Sequence, residues 1–277
     1  MWQRRLISLS YQGTAYSGFS SSPNCITVKD TLYHSIFSIL PKASTAENLG
    51  FQYSSRTDKG VHALDQKCSF LLPSYFSDIK AMQLLNERLP GDMKIVNMVS
   101  VDNSFVLRDV VLGKDYYYWL SFEPRDPFFS SLRWSIPCIG NLDSAQQYCS
   151  LLVGEHDFSY FAKNMKQYKS TVCRIYKAEI RVIEQDQWLL QIRGNRFLHH
   201  MIRFITGFLY AWLKSKKPIP NRYEDLFALT CQASSLLAPG GGLYLVKTWL
   251  STESDPLTWH LSPYDRGTEF LSHFFSS

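Results

Sequence analysis

Residues 175–193 read IYKAEIRVIEQDQWLLQIR. In an extended chain Tyr176, Ala178, Ile180 and Val182 share one face, and Trp188, Leu190 and Ile192 share a face of the run that follows. Glu184 to Gln187 supply a polar turn between them, so the spacing predicts an antiparallel hairpin. Outward from this pair, the same alternation predicts strands over 4–11, 67–72, 94–101, 115–122, 175–183, 187–193 and 243–250. Helical patterns run between them. Thr27 caps a helix that turns Val28, Leu32, Ile36, Ile39 and Leu40 inward. A second helix follows Ser77, with Ile79, Met82 and Leu85 on one side. A third runs from Asp143 to about Val153 and stops at Gly154. A fourth covers 197–214 and ends before Pro218. A fifth opens at Asn221, with Glu224 at capping-box spacing.

The order strand, helix, strand, strand, helix, strand occupies the front of the chain, and a similar order with one extra helix recurs behind residue 112. The expected fold class is α+β, with two ferredoxin-like (RRM-like) halves whose antiparallel sheets form one extended sheet around a central cleft. The expected division is an N-terminal domain over 1–111 and a C-terminal domain over 112–277. No short-period repeat or low-complexity linker interrupts either.

Composition narrows the function classes. The 277 residues carry a net charge of +5, which permits an RNA partner without requiring one. No basic tail is present, so phosphate contacts must come from a folded surface. The six cysteines, at 25, 68, 138, 149, 173 and 231, form no C-x-x-C pair and have no zinc-site spacing to histidine. They read as reduced thiols. The N-terminus goes directly into a strand and lacks the apolar run of a signal peptide. The most apolar stretch, Phe197 to Leu213, is interrupted by His199, His200 and Arg203, which argues for a buried helix over a membrane span. The expectation is a soluble intracellular protein with no membrane partner.

One segment carries the chemistry. Ser54-Ser55-Arg56-Thr57-Asp58-Lys59-Gly60-Val61-His62-Ala63 places a carboxylate, a glycine and several polar groups between two apolar stretches. It reads as a loop on a rigid sheet, where reactive groups concentrate. Pattern alone reads Asp58 as a turn former more readily than as a catalyst. On the fourth helix Arg196, His200 and Arg203 recur at i, i+4 and i+7 as a polar stripe that Gly207 continues. Adjacent His199 and His200 would project from a helix in different directions and share an ion poorly, and no H-E-x-x-H spacing is present, so no metal is expected. Pro239-Gly240-Gly241-Gly242 reads as a flexible approach to the last strand and lacks the Lys and Ser/Thr of a phosphate-binding loop, so no nucleotide cofactor is expected. Lys214, Lys216 and Lys217 read equally as a solvated helix end or a phosphate contact.

The run Arg56 to Ala63 resembles the signature of the TruA family of transfer-RNA pseudouridine synthases. Other blocks resemble that family in the same order: Tyr11-Gln12-Gly13-Thr14-Ala15-Tyr16-Ser17-Gly18; Leu89-Pro90-Gly91-Asp92; Phe105 and Arg108 followed by Lys114-Asp115-Tyr116-Tyr117-Tyr118; Asn195 to Arg203; and Gly242-Leu243-Tyr244-Leu245. The resemblance spans about residues 4 to 250. It implies an isomerase that turns uridine into pseudouridine in tRNA, usually at positions 38–40 of the anticodon stem-loop. It also implies a homodimer gripping one RNA, no cofactor, and a cytoplasmic or organellar-matrix location.

The resemblance assigns roles as well. Asp58 is the essential carboxylate, acting as nucleophile, as base toward a ribose proton, or as stabiliser of an oxocarbenium-like state. Tyr116 stacks on the flipped uracil and serves proton removal from C5, though the surrounding tyrosines also suit strand packing. Arg203 pairs with the catalytic carboxylate. Arg56 occupies the space that the extruded base vacates. Leu243 walls the uracil pocket. Thr57, His62, Arg108, Lys114, Phe197 and His200 fall in the matched blocks as RNA or substrate contacts. Departures cluster beside these positions. Phe19-Ser20 stand where the family has Trp-Gln, Lys29 where it has glutamine, Ser55 where it has glycine, and Val106 where it has histidine. They bear on which RNA is chosen. A rival reading from another class is an RNA-binding or chaperone paralogue with little turnover, and a second rival is a metal hydrolase built on the histidine pair.

Overall fold

The computed structural model describes residues 1–41, 45–137, 141–163, 166, 168–229 and 236–251. The chain forms two compact units, Gly113–Tyr244 and a second made of Met1–Leu112 with the chain from Leu245 onward.

The first unit runs β1 (Trp2–Tyr11), α1 (Val28–Ile39), β2 (Gln52–Tyr53), β3 (His62–Pro73), α2 (Asp78–Asn86), β4 (Met93–Val101) and the single turn α3 (Leu107–Val110). Its strands lie in the order β4-β1-β3-β2, the split βαβ arrangement. Register decides what this sheet presents. Tyr11 at the end of β1 pairs with Ala63 at the start of β3 and with Met93 at the start of β4. The loops after β1, before β3 and before β4 therefore share one end of the sheet.

The helices cover the sheet as their sequences require. Thr27 accepts from the Asp30 N–H at 3.2 Å and caps α1, which buries Val28, Leu32 and Ile36. Ser77 likewise caps α2. The expected inner face of α2 is corrected, because Ile79 is 69% exposed while Ala81 and Leu85 are buried. The cause is Asp78, whose carboxylate forms an ion pair with Arg5 at 2.9 Å and accepts from Ser100 Oγ at 2.8 Å. Those bonds fix the roll of the helix and turn Ile79 outward.

The second unit contains β5 (Val111–Ser121), β6 (Trp134–Ser135), α4 (Leu142–Leu152), β7 (Gly154–Asp157), β8 (Val172–Glu184), β9 (Gln187–Gly194) and α5 (Met201–Ser215). The sheet order is β5-β9-β8-β7, antiparallel throughout, with the short β6 parallel to β5. The hairpin of residues 175–193 is present, with Glu184 opposite Gln187. Its first face is not uniform, since Tyr176 and Val182 fall where the register shifts and are 37% and 46% exposed. Asn141 caps α4, which starts at Leu142 beside the expected Asp143 and packs on β8 and α5.

Two helix expectations change. The fourth helix starts at Met201, not at 197, because His200 adopts a left-handed conformation with φ +66°. The predicted fifth helix is a 3₁₀ segment over Tyr223–Leu229. The Leu226 carbonyl accepts from the Trp212 indole at 2.9 Å, which ties this segment to α5. Strand β10 (Leu243–Leu250) starts at the end of the second unit and continues into the first, where it borders β3. Among the described residues no helix is long and apolar enough to cross a membrane. Cys138 and Cys231 lie outside the described residues, and Cys25, Cys68, Cys149 and Cys173 are free thiols.

Candidate active site

Asp58 sits in the loop between β2 and β3, partly exposed, with exposed Arg56 and Lys59 on either side of the Thr57-Asp58 pair. Backbone ties hold this loop. The Thr57 carbonyl accepts from Phe19 N at 3.0 Å, and the Asp58 carbonyl accepts from Val61 N at 3.1 Å. The Ser55 carbonyl accepts from the buried Gln66 amide at 2.9 Å. Thr57 Oγ1 and Tyr11 Oη lie 2.7 Å apart, both buried. Gly60 closes the turn with φ +78°, a conformation glycine takes without strain.

The loop after β1 fits against the same turn. A Cβ on Gly13 would stand 2.0 Å from the Val61 carbonyl oxygen, so only glycine allows this approach. The Gly13 N–H donates to His62 Nδ1 at 3.0 Å, which leaves that nitrogen unprotonated. Asp92, from the loop before β4, accepts from Tyr16 Oη at 2.7 Å and, through its carbonyl, from Gln12 N at 2.9 Å. The Tyr16 phenol is pushed well up by its burial and by the Asp92 bond. Three sequence blocks, 11–18, 56–63 and 89–92, thus meet at the end of the sheet that carries Asp58. Buried Thr57 and His62 brace the loop, while Arg56 faces outward. On α3, exposed Arg108 follows Leu107, whose N–H donates to Gln52 Oε1 at 2.6 Å.

Tyr116 and Arg203 belong to the second unit. Tyr116 lies in the middle of β5 opposite Ile192 and is 8% exposed. The Phe197 ring meets it edge-on, with centroids 5.1 Å apart. Arg203 lies on the first turn of α5, where Nε donates to the Ala238 carbonyl at 2.8 Å. Its charge also acts on the buried Tyr118 phenol, which burial raises and Arg203 lowers. Tyr118 Oη donates to the Pro239 carbonyl at 2.7 Å. One turn along α5, a Cβ on Gly207 would stand 1.5 Å from the Leu236 carbonyl oxygen, so Arg203 and Gly207 form the groove in which the backbone at 236–238 rests. The approach to Leu243 is packed, not flexible: a Cβ on Gly241 would lie 2.5 Å from the Ser131 oxygen, and one on Gly242 2.6 Å from the Tyr118 ring. Leu243 itself is buried.

The expected stripe of Arg196, His200 and Arg203 is corrected, because Arg196 and His200 precede the helix. Arg196 instead donates to the Ser170 carbonyl at 2.7 Å. The His199 and His200 rings do not diverge as expected but stand 3.8 Å apart. Non-glycine residues in the left-handed region cost about 1–3 kcal/mol and concentrate at functional sites, which makes the His200 turn notable. Half-buried Lys114 lies opposite Gly194, and desolvation pushes its ammonium down to about 8.

Sequence reading did not find several charged groups. Arg193 holds Asp115 with two bonds of 2.7 Å across β5 and β9, directly beside Tyr116. In the first unit Asp65 pairs with Lys67 at 3.1 Å and accepts from the Thr248 N–H at 3.0 Å, joining β3 to β10. A cross-strand pair needs the register before it is visible, and alternation alone does not give register.

A family model described as tRNA pseudouridine synthase matches residues 148–248. Among curated proteins, tRNA pseudouridine synthase A of Phytoplasma mali (strain AT) is 33% identical over 241 residues, covering 86% of this chain and 95% of that one. The protein of the same name from Chlamydia muridarum is 33% identical over 254 residues, with coverage of 88% and 91%. That of Staphylococcus aureus (strain JH1) is 31% identical over 248 residues, with coverage of 89% and 91%.

Proposed function

The chain belongs to the tRNA pseudouridine synthase family, and from that premise we propose that it acts at positions 38–40 of the anticodon stem-loop, with Asp58 as the essential carboxylate. The enzyme is an isomerase acting on tRNA. The N1–C1′ bond of a uridine breaks, the uracil turns, C5 joins C1′, and the proton lost from C5 is balanced by one gained at N1. The reaction is redox-neutral and transfers no group to a second molecule, so its chemistry requires no cofactor.

The observation that carries the reading is the held loop: Thr57, Gly60 and His62 are bound to neighbouring segments, and Asp58 between them is partly exposed. A carboxylate placed this way is positioned for a nucleotide drawn out of its stack, at a cost of about a few kcal/mol in unstacking. Arg56, exposed on the same loop, suits the vacated stack. Tyr116, with Phe197 at its edge, offers a π face to the uracil, and Leu243 an apolar wall. The resemblance gives Arg203 the role of pairing with this carboxylate. Arg108, Lys114 and His200 contact RNA. Asp58 serves as nucleophile, base or electrostatic stabiliser. A homodimer in the cytoplasm follows from the same resemblance.

The test is pseudouridine mapping on an unmodified tRNA transcript treated with the full chain. Modification at positions 38–40 supports the proposal. Modification elsewhere in tRNA overturns the position, and RNA binding without any modification favours the chaperone-like reading.

A further inference from the structure

The segment following the 3₁₀ turn Ser159–Phe161 carries three exposed lysines, Lys163, Lys166 and Lys169. Its described residues are stapled to the chain that leads into α5. Lys163 N donates to the His199 carbonyl at 3.2 Å, and His199 N donates to Tyr168 Oη at 2.7 Å. Arg196 donates to the Ser170 carbonyl at 2.7 Å. Both main-chain polar groups of His199 are thus bound by this one segment. The next residue is the left-handed His200, and Arg203 follows in the first turn of the helix. The two carboxylates that precede this segment in the chain have partners: Glu155 pairs with Arg174 at 3.2 Å, and Asp157 accepts from Ser159 N at 2.9 Å.

We infer that Lys163, Lys166 and Lys169 form an arm that contacts RNA phosphates, and that Tyr168 is a positioning residue coupling this arm to the His199-His200 turn and so to Arg203. The inference rests on the proposed tRNA reaction and adds a surface to it. A cluster of exposed ammonium groups supplies sequence-independent phosphate contacts and sets register. The three staples tie Lys163, Tyr168 and Ser170 to the chain at 196–199. RNA seated on the arm therefore holds the start of α5 in place.

Two sets of variants of the full chain test this, with an unmodified tRNA transcript as the probe. Replacing all three lysines by alanine is expected to lower the slope of log Kd against log salt by about two to three, the share of three phosphate contacts. Replacing them by arginine keeps the slope. A wild-type slope in the alanine variant overturns the arm. Tyr168→Phe removes the acceptor for His199 N. It is expected to slow single-turnover pseudouridine formation at saturating RNA about tenfold with the salt slope unchanged. A wild-type rate overturns the coupling. The salt slope is read from binding alone, so a wild-type protein that forms no pseudouridine would sink the proposed reaction without deciding the arm.

Discussion

Tyr11 Oη and Thr57 Oγ1 lie 2.7 Å apart in a buried hydrogen bond, which ties the last residue of β1 to the residue before Asp58. Breaking it leaves a buried hydroxyl without its partner, a loss of about 1–3 kcal/mol. Tyr11→Phe is expected to lower the unfolding free energy by that amount and kcat by about tenfold, with a smaller change in KM. Thr57→Val should do the same. In a double-mutant cycle the two losses should fall well short of adding, because either change removes the shared bond. Additive losses in denaturant titrations would mean that the two hydroxyls act separately.

Asp58→Asn keeps size and polarity and removes the charge. Turnover should fall by about a thousandfold or more, as when a reacting group is deleted. Affinity for tRNA should stay within a few-fold, since phosphate contacts dominate binding. Tritium release from uracil-labelled tRNA measures the first quantity and filter binding the second. A variant with near-normal release would remove Asp58 from the chemistry.

Gly207→Ala tests the groove on α5. The new methyl would meet the Leu236 carbonyl oxygen at 1.5 Å, inside any tolerable contact, so the backbone at 236–238 must move away. Arg203 would then lose its bond to Ala238. The expected result is a stability loss of at least about 3 kcal/mol from backbone overpacking, with a further fall in kcat. Thermal melts alongside turnover at a temperature where the variant is folded separate the two effects.

Much of this was legible in the sequence because local rules and tertiary demands agree. Alternation located the seven main strands, and Thr27 and Ser77 marked helix starts, since a side-chain oxygen there satisfies an N–H in the first turn. The errors arose where a distant partner overrode the local pattern. Asp78 turns Ile79 outward through Arg5, and the left-handed His200 delays α5 by four residues against the predicted start. The short strands β2, β6 and β7 were missed because strands of two to four residues are too brief to show alternation. At the site, Asp58 stood out through its block of neighbours, whereas the Asp115–Arg193 fork joins residues that only the β5–β9 register places face to face.

Lys114 gives the pH dependence a sign. Desolvation brings its ammonium down to about 8 in the folded protein, from 10.5 in a solvated chain. Between these values the unfolded state binds more protons than the folded one, so this group makes stability rise with pH across that interval. Lys114→Met should therefore stabilise the free protein at neutral pH and flatten that rise, read from melting temperatures across the interval. Binding should show the opposite trend. A phosphate beside Lys114 favours the ammonium and raises its pKa in the complex. Affinity for tRNA should be full below about 8 and fall as pH rises above it, by at most about tenfold per pH unit for one proton. The methionine variant should bind more weakly at neutral pH and lose this fall. An affinity profile that is the same in both proteins above pH 8 would remove Lys114 from the RNA contacts.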